Sequence, residues 1–265
     1  MAKAKDLRRW AGWLVLVIAF SVACALLSNW QFNRRQEALA AMAQVAQNYD
    51  SKPVAIDDVA TINGFDIKHE WQPVQLTGHY LVRNAVLVRN RPLDGNPGFL
   101  ELVPFQLIDG RIIAIERGWL ASDEHYAPPK TIPLPSENTQ TLVARVRPSE
   151  PTLDRSAPEG QLGTINIRAL IEAEKIKDLT FTSVYARVAS EGIPQSSNPK
   201  ALPKPQLDEG NHLSYALQWI MFALMAVAAL YWGIKKEREA ISGKKLSTRK
   251  RVGESDAEVE DSLLS

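Results

Sequence analysis

The chain has 265 residues, of which 45% are hydrophobic and 23% are charged. This is the composition of a folded protein and excludes a disordered, low-complexity chain. Its 31 Lys and Arg residues nearly balance its 30 Asp and Glu residues, so the charge gives no reason to expect a nucleic-acid ligand. The mean hydropathy of −0.18 excludes a polytopic protein built mostly of membrane helices.

Two apolar stretches lie near the ends of the chain. Neither Trp10–Asn29 nor Leu213–Ile234 contains a charged residue, and each is long enough to cross a bilayer as a helix. We therefore predict a membrane protein that contacts the lipid bilayer. Its transmembrane helices are expected at residues 10–29 and 212–234, on either side of one domain at 30–211.

Basic residues flank both stretches on the side away from the central domain. They are Lys3, Lys5, Arg8 and Arg9 before the first, and Lys235, Lys236, Arg238, Lys244, Lys245, Arg249, Lys250 and Arg251 after the second. Positive flanks tend to stay in the cytoplasm, so residues 1–9 and the tail at 235–265 are predicted to be cytoplasmic. The N-terminal flank is too short for a mitochondrial transit peptide. We therefore expect a multi-pass protein of a bacterial inner (cell) membrane with a periplasmic central domain.

The first apolar stretch has a second interpretation. The motif A-C-A at residues 23–25 has the form of a signal-peptidase site, and Cys24 raises the possibility of a lipoprotein. The apolar stretch continues to Leu27, however, which favours a retained helix, and lipoproteins usually have an aliphatic residue at the position of Ser21. Cys24 is the only cysteine, so it forms no intramolecular disulfide, and we expect it to be a small buried side chain.

The central domain begins with a helical pattern and continues with strand patterns. The sequence lacks Gly and Pro from Asn29 to Lys52, which predicts that the first helix continues outward until Pro53 ends the pattern. Strands are predicted for the segments PVQLTGHYL, AVLVRNR, FLELVPFQL, RIIAIERGWL, TLVARVR and FTSVYARV. Asp109-Gly110 predicts a hairpin, and INIRALIEAEKI predicts a short helix. The exported domain is therefore a β-dominated α+β fold, either an antiparallel meander or a partly closed barrel.

Arg117 is unusual among the predicted strand residues. In a straight strand it shares one face with Ile113, Ile115 and Trp119, where a guanidinium group is costly unless it finds an acceptor. It is expected either to form a buried structural ion pair or aromatic stack, or to bind a ligand carboxylate such as a haem propionate.

The sequence contains no P-loop, nucleophile elbow, zincin motif or dinucleotide fingerprint, so we expect a protein that is not an enzyme. Of its four histidines, His212 differs by its position at the outer end of the second apolar stretch. On a helix, His212, Tyr215 and Trp219 share one face because they are spaced i, i+3 and i+7. They form either an aromatic belt with a capping histidine, or a site in which the imidazole is an axial ligand for a lipophilic iron porphyrin.

Four ordered blocks resemble the Surfeit locus protein 1 family of assembly factors for haem-copper cytochrome oxidases. They are NWQFNRRQEAL, VQLTGHYL, NRPLDGNPGFLELVPFQLIDGRIIAIERGWL and HLSYALQWIMFAL. The third carries the family's N-R, D-G, P-G and R-G-W elements. It departs from the family pattern at Glu116, where Asn is common, and at Leu120-Ala121, where Val-Pro is frequent. The segment GTINIRAL also lacks the Trp and Asp expected before the short helix.

The resemblance implies a cytochrome c oxidase assembly factor, or chaperone, that binds or delivers haem a during maturation of oxidase subunit I. Carried over by position, His212 matches the haem ligand, and hence the metal ligand, while Tyr215, Trp219 and Arg117 are further cofactor-binding candidates. The expected partners are oxidase subunit I and haem a synthase. The motif positions with less defined roles are Trp30, Gln31, Arg34, Gly118 and Trp119. The alternatives are a protein scaffold that binds no haem and, third, an exported hydrolase.

Overall fold

A computed structural model describes residues 2–153, 157–193 and 198–241 of the chain. The helices are α1 (Ala2–Asn48), α2 (Ile167–Ala173) and α3 (His212–Ile241), and the strands are β1 (Val54–Ala55), β2 (Pro73–Tyr80), β3 (Val86–Val88), β4 (Gly98–Leu107), β5 (Ile112–Ala121), β6 (Gln140–Pro148), β7 (Gln161–Leu162) and β8 (Val184–Ser190). The described residues fall into a helical unit, within residues 1–37 and 210–265, and a β unit, within residues 38–209. Beyond Ile241, the predicted cytoplasmic tail lies outside the described residues.

In the helical unit, α1 and α3 run antiparallel and contact each other along one seam. Buried and half-buried positions recur mostly at spacings of three and four residues, which is the pattern of helices packed side by side. They include Trp10, Val17, Ser21, Cys24, Ser28 and Gln31 on α1, and His212, Ala216, Trp219, Ala223, Ala226, Leu230 and Gly233 on α3. The Ser28 hydroxyl donates a hydrogen bond of 3.1 Å to the Ala216 carbonyl. Cys24 is a free thiol in this seam and is 1% exposed, so the prediction of a small buried side chain is confirmed.

Both helices are long and apolar enough to cross a membrane, judged by length and composition. Away from the seam they present large apolar side chains, among them Leu16 at 55% and Leu224 at 64% exposure. Such surfaces are stable when lipid rather than water covers them. Helix α1 extends past Asn29 to Asn48, which confirms the predicted continuation before Pro53. Membrane insertion and orientation stay predictions.

Five strands of the β unit close into a barrel. Strand β2 pairs with β4, β4 with β5, β5 with β8, β8 with β6, and β6 with β2. Only the β5–β8 pair of these is parallel, and the arrangement is a five-stranded Greek-key barrel. The barrel alternative is therefore confirmed. The meander alternative is right only for β3, β4 and β5, because β2 pairs with β4 and β6 rather than with β3.

Alternating side chains along these strands form an inner core, as the pleat requires. Its members include Val74, Leu76, Tyr80, Val103, Phe105, Ile113, Ile115, Leu142, Ala144, Val146, Val184 and Ala186. A second cluster lies on the outer face and includes Ile167 and Leu170 of α2. The Asn166 side chain caps α2 by accepting a 2.9 Å hydrogen bond from the Ala169 amide, so the predicted short helix is confirmed. The hairpin predicted at Asp109 is also present, between β4 and β5.

The prediction that Arg117 and Trp119 share a face with the isoleucines of β5 is wrong at Trp119. Glu116 and Gly118 pair with consecutive residues of β4, so Arg117 is an extra residue in a β-bulge. Arg117 consequently lies 5.6 Å from the ring centroid of Tyr80 in the inner core. Trp119 packs instead in the outer cluster. The extra residue reverses the alternation, which a pattern of spacing two does not reveal.

Candidate functional site

The site predicted on the second apolar helix lies where α3 begins. His212 is the first residue of α3, and the Tyr215 amide donates to the Asn211 carbonyl at 3.1 Å to close the first turn. Gly210, just before it, has a φ of 65°, a left-handed conformation that favours glycine. The helix therefore starts at a sharp change of chain direction, with the imidazole in its first turn.

The imidazole of His212 has a defined partner on the other helix. Its Nδ1 lies 2.8 Å from Oε1 of Gln31. A carboxamide oxygen only accepts hydrogen bonds, so in a neutral imidazole this contact places the proton on Nδ1 and the lone pair on Nε2. A hydrogen bond from one ring nitrogen to a protein oxygen is how metal-binding histidines are commonly oriented. His212 can therefore offer one neutral nitrogen ligand to a metal.

Gly210 lies beside the edge of the ring that carries Nε2. A Cβ atom added to Gly210 would lie 3.4 Å from Nε2 and 3.3 Å from Cδ2 of His212. A larger side chain at this position would fill the space beside the lone pair. The residues present therefore fit an imidazole ligand whose Nε2 edge lies beside a residue without a side chain.

Tyr215 and Trp219 lie on the same side of α3 as His212, as their spacing predicts. Trp219 is half-buried and makes an edge-on contact with Phe222, with ring centroids 5.8 Å apart. Tyr215 is 50% exposed. The helical unit thus brings together His212, Tyr215 and Trp219, with Gln31 added from α1. The assignment of Tyr215 and Trp219 as cofactor contacts stays a prediction.

Arg117, the fourth predicted site residue, belongs to the β unit, where all five of its N–H groups have acceptors. Nη1 donates to Glu101 Oε2 and to the Pro133 carbonyl, both at 2.7 Å. Nε donates to Glu191 Oε1 at 2.9 Å, and Nη2 reaches Glu191 Oε2 at 3.4 Å and Asn198 Oδ1 at 3.2 Å. The side chain is 1% exposed. The buried structural ion pair is therefore the arrangement present, and a propionate contact at Arg117 would require it to exchange one of these acceptors.

The charges around Arg117 are strongly perturbed because they lie inside the barrel. Burial raises the pKa of Glu101 to about 7, although the Arg117 guanidinium opposes this shift. Burial lowers the pKa of Arg117, but the Glu191 and Glu101 carboxylates raise it more, so the net shift is upward. Burial also raises the pKa of Tyr80, whose hydroxyl donates to Glu191 at 2.8 Å. The network holds one cation between two carboxylates and is part of the barrel core.

The neighbours of Arg117 in the R-G-W element have structural roles. A Cβ at Gly118, whose φ is 154°, would lie 2.7 Å from the Lys200 carbonyl oxygen. That carbonyl accepts a hydrogen bond of 2.8 Å from the Trp119 amide. The Trp119 indole donates to the Arg91 carbonyl at 2.6 Å. The element therefore ties β5 to two neighbouring segments of the β unit.

In the W-Q-x-x-R element of α1, the Trp and Arg side chains are exposed and the Gln side chain lies in the seam. Trp30 is 54% exposed, and Arg34 forms an exposed 2.8 Å ion pair with Glu37. Gln31 contacts His212. The described residues contain no group of three or more His, Cys, Asp or Glu placed to hold a metal ion.

Sequence reasoning missed Gln31 as the partner of His212 and Glu101 and Glu191 as the partners of Arg117. A signal for Gln31 was present, because a polar residue three positions after Ser28 continues the buried side of an otherwise apolar helix. For Glu101 the signal was a single acid within the apolar run of β4. Glu191 follows the end of β8 and gave no comparable signal.

Comparison with known proteins gives consistent matches. The model of the SURF1 family matches residues 18–224. The chain is similar to an uncharacterized SURF1-like protein of Mycobacterium bovis, with 28% identity over 83% of this chain and 82% of the relative. It is similar to the cytochrome oxidase assembly protein SHY1 of Saccharomyces cerevisiae, with 30% identity over 51% of this chain and 36% of that protein. A SURF1-like protein of Rickettsia felis is 21% identical over 81% of this chain and 92% of its own.

Proposed function

The chain belongs to the SURF1 family, as its ordered motifs predicted, and from this premise we propose that it assists cytochrome c oxidase assembly by holding haem a through His212. Family membership and similarity to a yeast cytochrome oxidase assembly protein support the role in oxidase assembly. The haem function rests on one observation, the His212 imidazole with Nδ1 bonded to Gln31. Haem a is the cargo in this proposal, and the protein performs no turnover.

The iron of haem a supplies a vacant coordination position that accepts a nitrogen lone pair. His212 provides that lone pair at Nε2, while Gln31 fixes the ring. Gly210 adds no side chain beside the Nε2 edge. Tyr215 and Trp219 place flat apolar rings on the same side of the helix, where they can cover a porphyrin face. The helical unit thus combines a ligand with an aromatic surface.

We place both helices in the inner membrane of a bacterium, with the β unit on the periplasmic side and both termini in the cytoplasm. Two observations support this placement. The outward faces of α1 and α3 are large and apolar, and basic residues lie at the helix ends remote from His212. The haem site then lies at the periplasmic membrane surface, where a lipid-soluble cofactor can enter from the bilayer.

The partners that fit this function are oxidase subunit I, which receives haem a, and haem a synthase, which supplies it. A scaffold without haem is the second candidate, because Arg117 and the other buried charges serve the β unit itself rather than a ligand. The two candidates differ in whether purified protein carries haem.

An absorption spectrum of protein purified from cells that make haem a distinguishes the two. The wild-type chain is expected to show a Soret band, and His212→Ala is expected to lose most of it. His125→Ala is the matched control, because His125 lies on an exposed loop of the β unit. Equal Soret bands in all three proteins would contradict the ligand assignment, and their absence from all three would favour the scaffold.

A further inference from the structure

We propose that Gln31 is a positioning residue that holds the His212 ring in the tautomer and orientation needed to bind a haem iron. This inference rests on the proposed haem function. Its basis is the 2.8 Å contact between Gln31 Oε1 and His212 Nδ1, which joins the two helices.

The contact is set by the register of the helix pair. Ser28 and Gln31 lie one turn apart on the seam of α1, and they bond to Ala216 and His212, which lie one turn apart on α3. The two hydrogen bonds therefore join the antiparallel helices at successive turns. The side chains at the Ser28–Ala216 bond are small and buried, since Ala216 is 0% and Ser28 is 4% exposed. Small side chains at this point allow the helices to approach closely. Close approach brings the carboxamide within reach of the imidazole.

The bond restricts the chemistry of the ring. A neutral imidazole has one N–H and one lone pair, and either nitrogen can carry the proton. The Gln31 oxygen accepts the proton of Nδ1 and so leaves the lone pair at Nε2. Nε2 is also the nitrogen that lies beside Gly210, which has no side chain. The tautomer that Gln31 favours is thus the one whose lone pair lies on the Gly210 side of the ring.

The contact with His212 also explains why the W-Q-x-x-R element contains glutamine. Trp30 and Arg34 point outward, whereas Gln31 is half-buried in the seam. A polar side chain inside an apolar helix pair is costly unless it forms a hydrogen bond. The imidazole of His212 supplies that partner, so the two residues satisfy each other before any ligand is present.

The test compares three variants of the full-length chain in detergent. Gln31→Leu removes the acceptor at similar size, and Gln31→Glu keeps an acceptor at the same position. Ser28→Ala is the control, because it removes the hydrogen bond to the Ala216 carbonyl and leaves the His212 contact in place. Nitrogen NMR of ligand-free protein reports the His212 tautomer, and titration with haem a reports affinity.

We expect Nδ1–H imidazole in the wild type and in Ser28→Ala, and a mixture of tautomers in Gln31→Leu. Haem a affinity should fall about 10–100-fold in Gln31→Leu, as is typical when the partner of a metal-binding histidine is removed. Gln31→Glu should retain affinity. An unchanged tautomer or unchanged affinity in Gln31→Leu would overturn the inference. In that case His212→Ala separates the two claims. If His212→Ala binds haem a normally, the proposed haem function fails as well as the role of Gln31. If His212→Ala loses binding, only the role of Gln31 fails.

Discussion

Glu101 and Arg117 form an ion pair inside the barrel, with Oε2 and Nη1 2.7 Å apart and both side chains 1% exposed. The pair exists because a bulge in β5 keeps Arg117 directed toward Tyr80. Glu191 bonds to the other side of the guanidinium. The residue that sequence alone offered as a propionate contact is therefore part of the internal structure of the β unit.

Replacing Arg117 with Met should destabilise the protein strongly. It leaves two buried carboxylates without their cation, and breaking a buried pair costs about 3–5 kcal/mol. The measurement is the free energy of unfolding in urea. The control is Arg34→Met, which removes an exposed ion pair and should change stability by less than about 0.5 kcal/mol. Equal losses in the two variants would contradict a structural role for Arg117.

Stability should decrease as the pH rises toward 7 because of Glu101. Its pKa in the folded protein is about 7, against an ordinary value of 4.5, so the folded state retains a proton that the unfolded state releases. Stability from this group is therefore lost between pH 4.5 and 7, by up to about 1.4 kcal/mol per pH unit. Glu101→Gln should flatten this slope, measured by urea unfolding across the window. Glu124→Gln, on an exposed loop, should not, and identical slopes in the two variants would count against the prediction.

Gly118→Ala should be more destabilising than Gly95→Ala. Both glycines have positive φ, 154° and 78°, so both substitutions strain the backbone by about 1–3 kcal/mol. At Gly95 the new Cβ meets open space, whereas at Gly118 it would lie 2.7 Å from the Lys200 carbonyl. The measurement is the thermal unfolding temperature of the two variants, and the difference between them reports the cost of the close approach to Lys200. A smaller decrease in Gly118→Ala than in Gly95→Ala would contradict this prediction.

Gly210→Ala should weaken haem a binding while leaving the fold of the β unit intact. The added methyl group would lie 3.4 Å from His212 Nε2, on the side where the lone pair is offered. Gly160→Ala is the matched control, because its φ of 72° is close to the 65° of Gly210 and its Cβ would meet nothing within 4 Å. Titration with haem a gives both affinities. Equal affinities would show that the space beside Nε2 is not used.

Local patterns predicted most of the elements. Alternating residues located the barrel strands, Asp109-Gly110 located the hairpin, and the absence of Gly and Pro after Asn29 predicted the long first helix. The sequence could not predict which strands pair, because β5 and β8 are adjacent in space but far apart in the chain. The face of Trp119 was wrong for a related reason, since the bulge at Arg117 depends on how β4 and β5 align.

The candidate site was predicted less completely than the fold. Helical spacing placed His212, Tyr215 and Trp219 together, and their contact with haem stays a prediction. The partner of His212 is on α1, and its identity depends on the register of two helices that are distant in sequence. The partners of Arg117 likewise come from β4 and from the segment after β8. Long-range pairing of this kind leaves no periodic signal in the chain.

Chemical rescue of His212→Gly by imidazole tests the central claim most directly. The variant removes the proposed ligand and leaves a space that free imidazole can enter. The absorption spectrum of the variant with haem a should lack the wild-type Soret band and regain it when imidazole is added, while the wild-type spectrum stays unchanged. A variant that shows the wild-type Soret band without imidazole would contradict the assignment of His212 as the haem ligand.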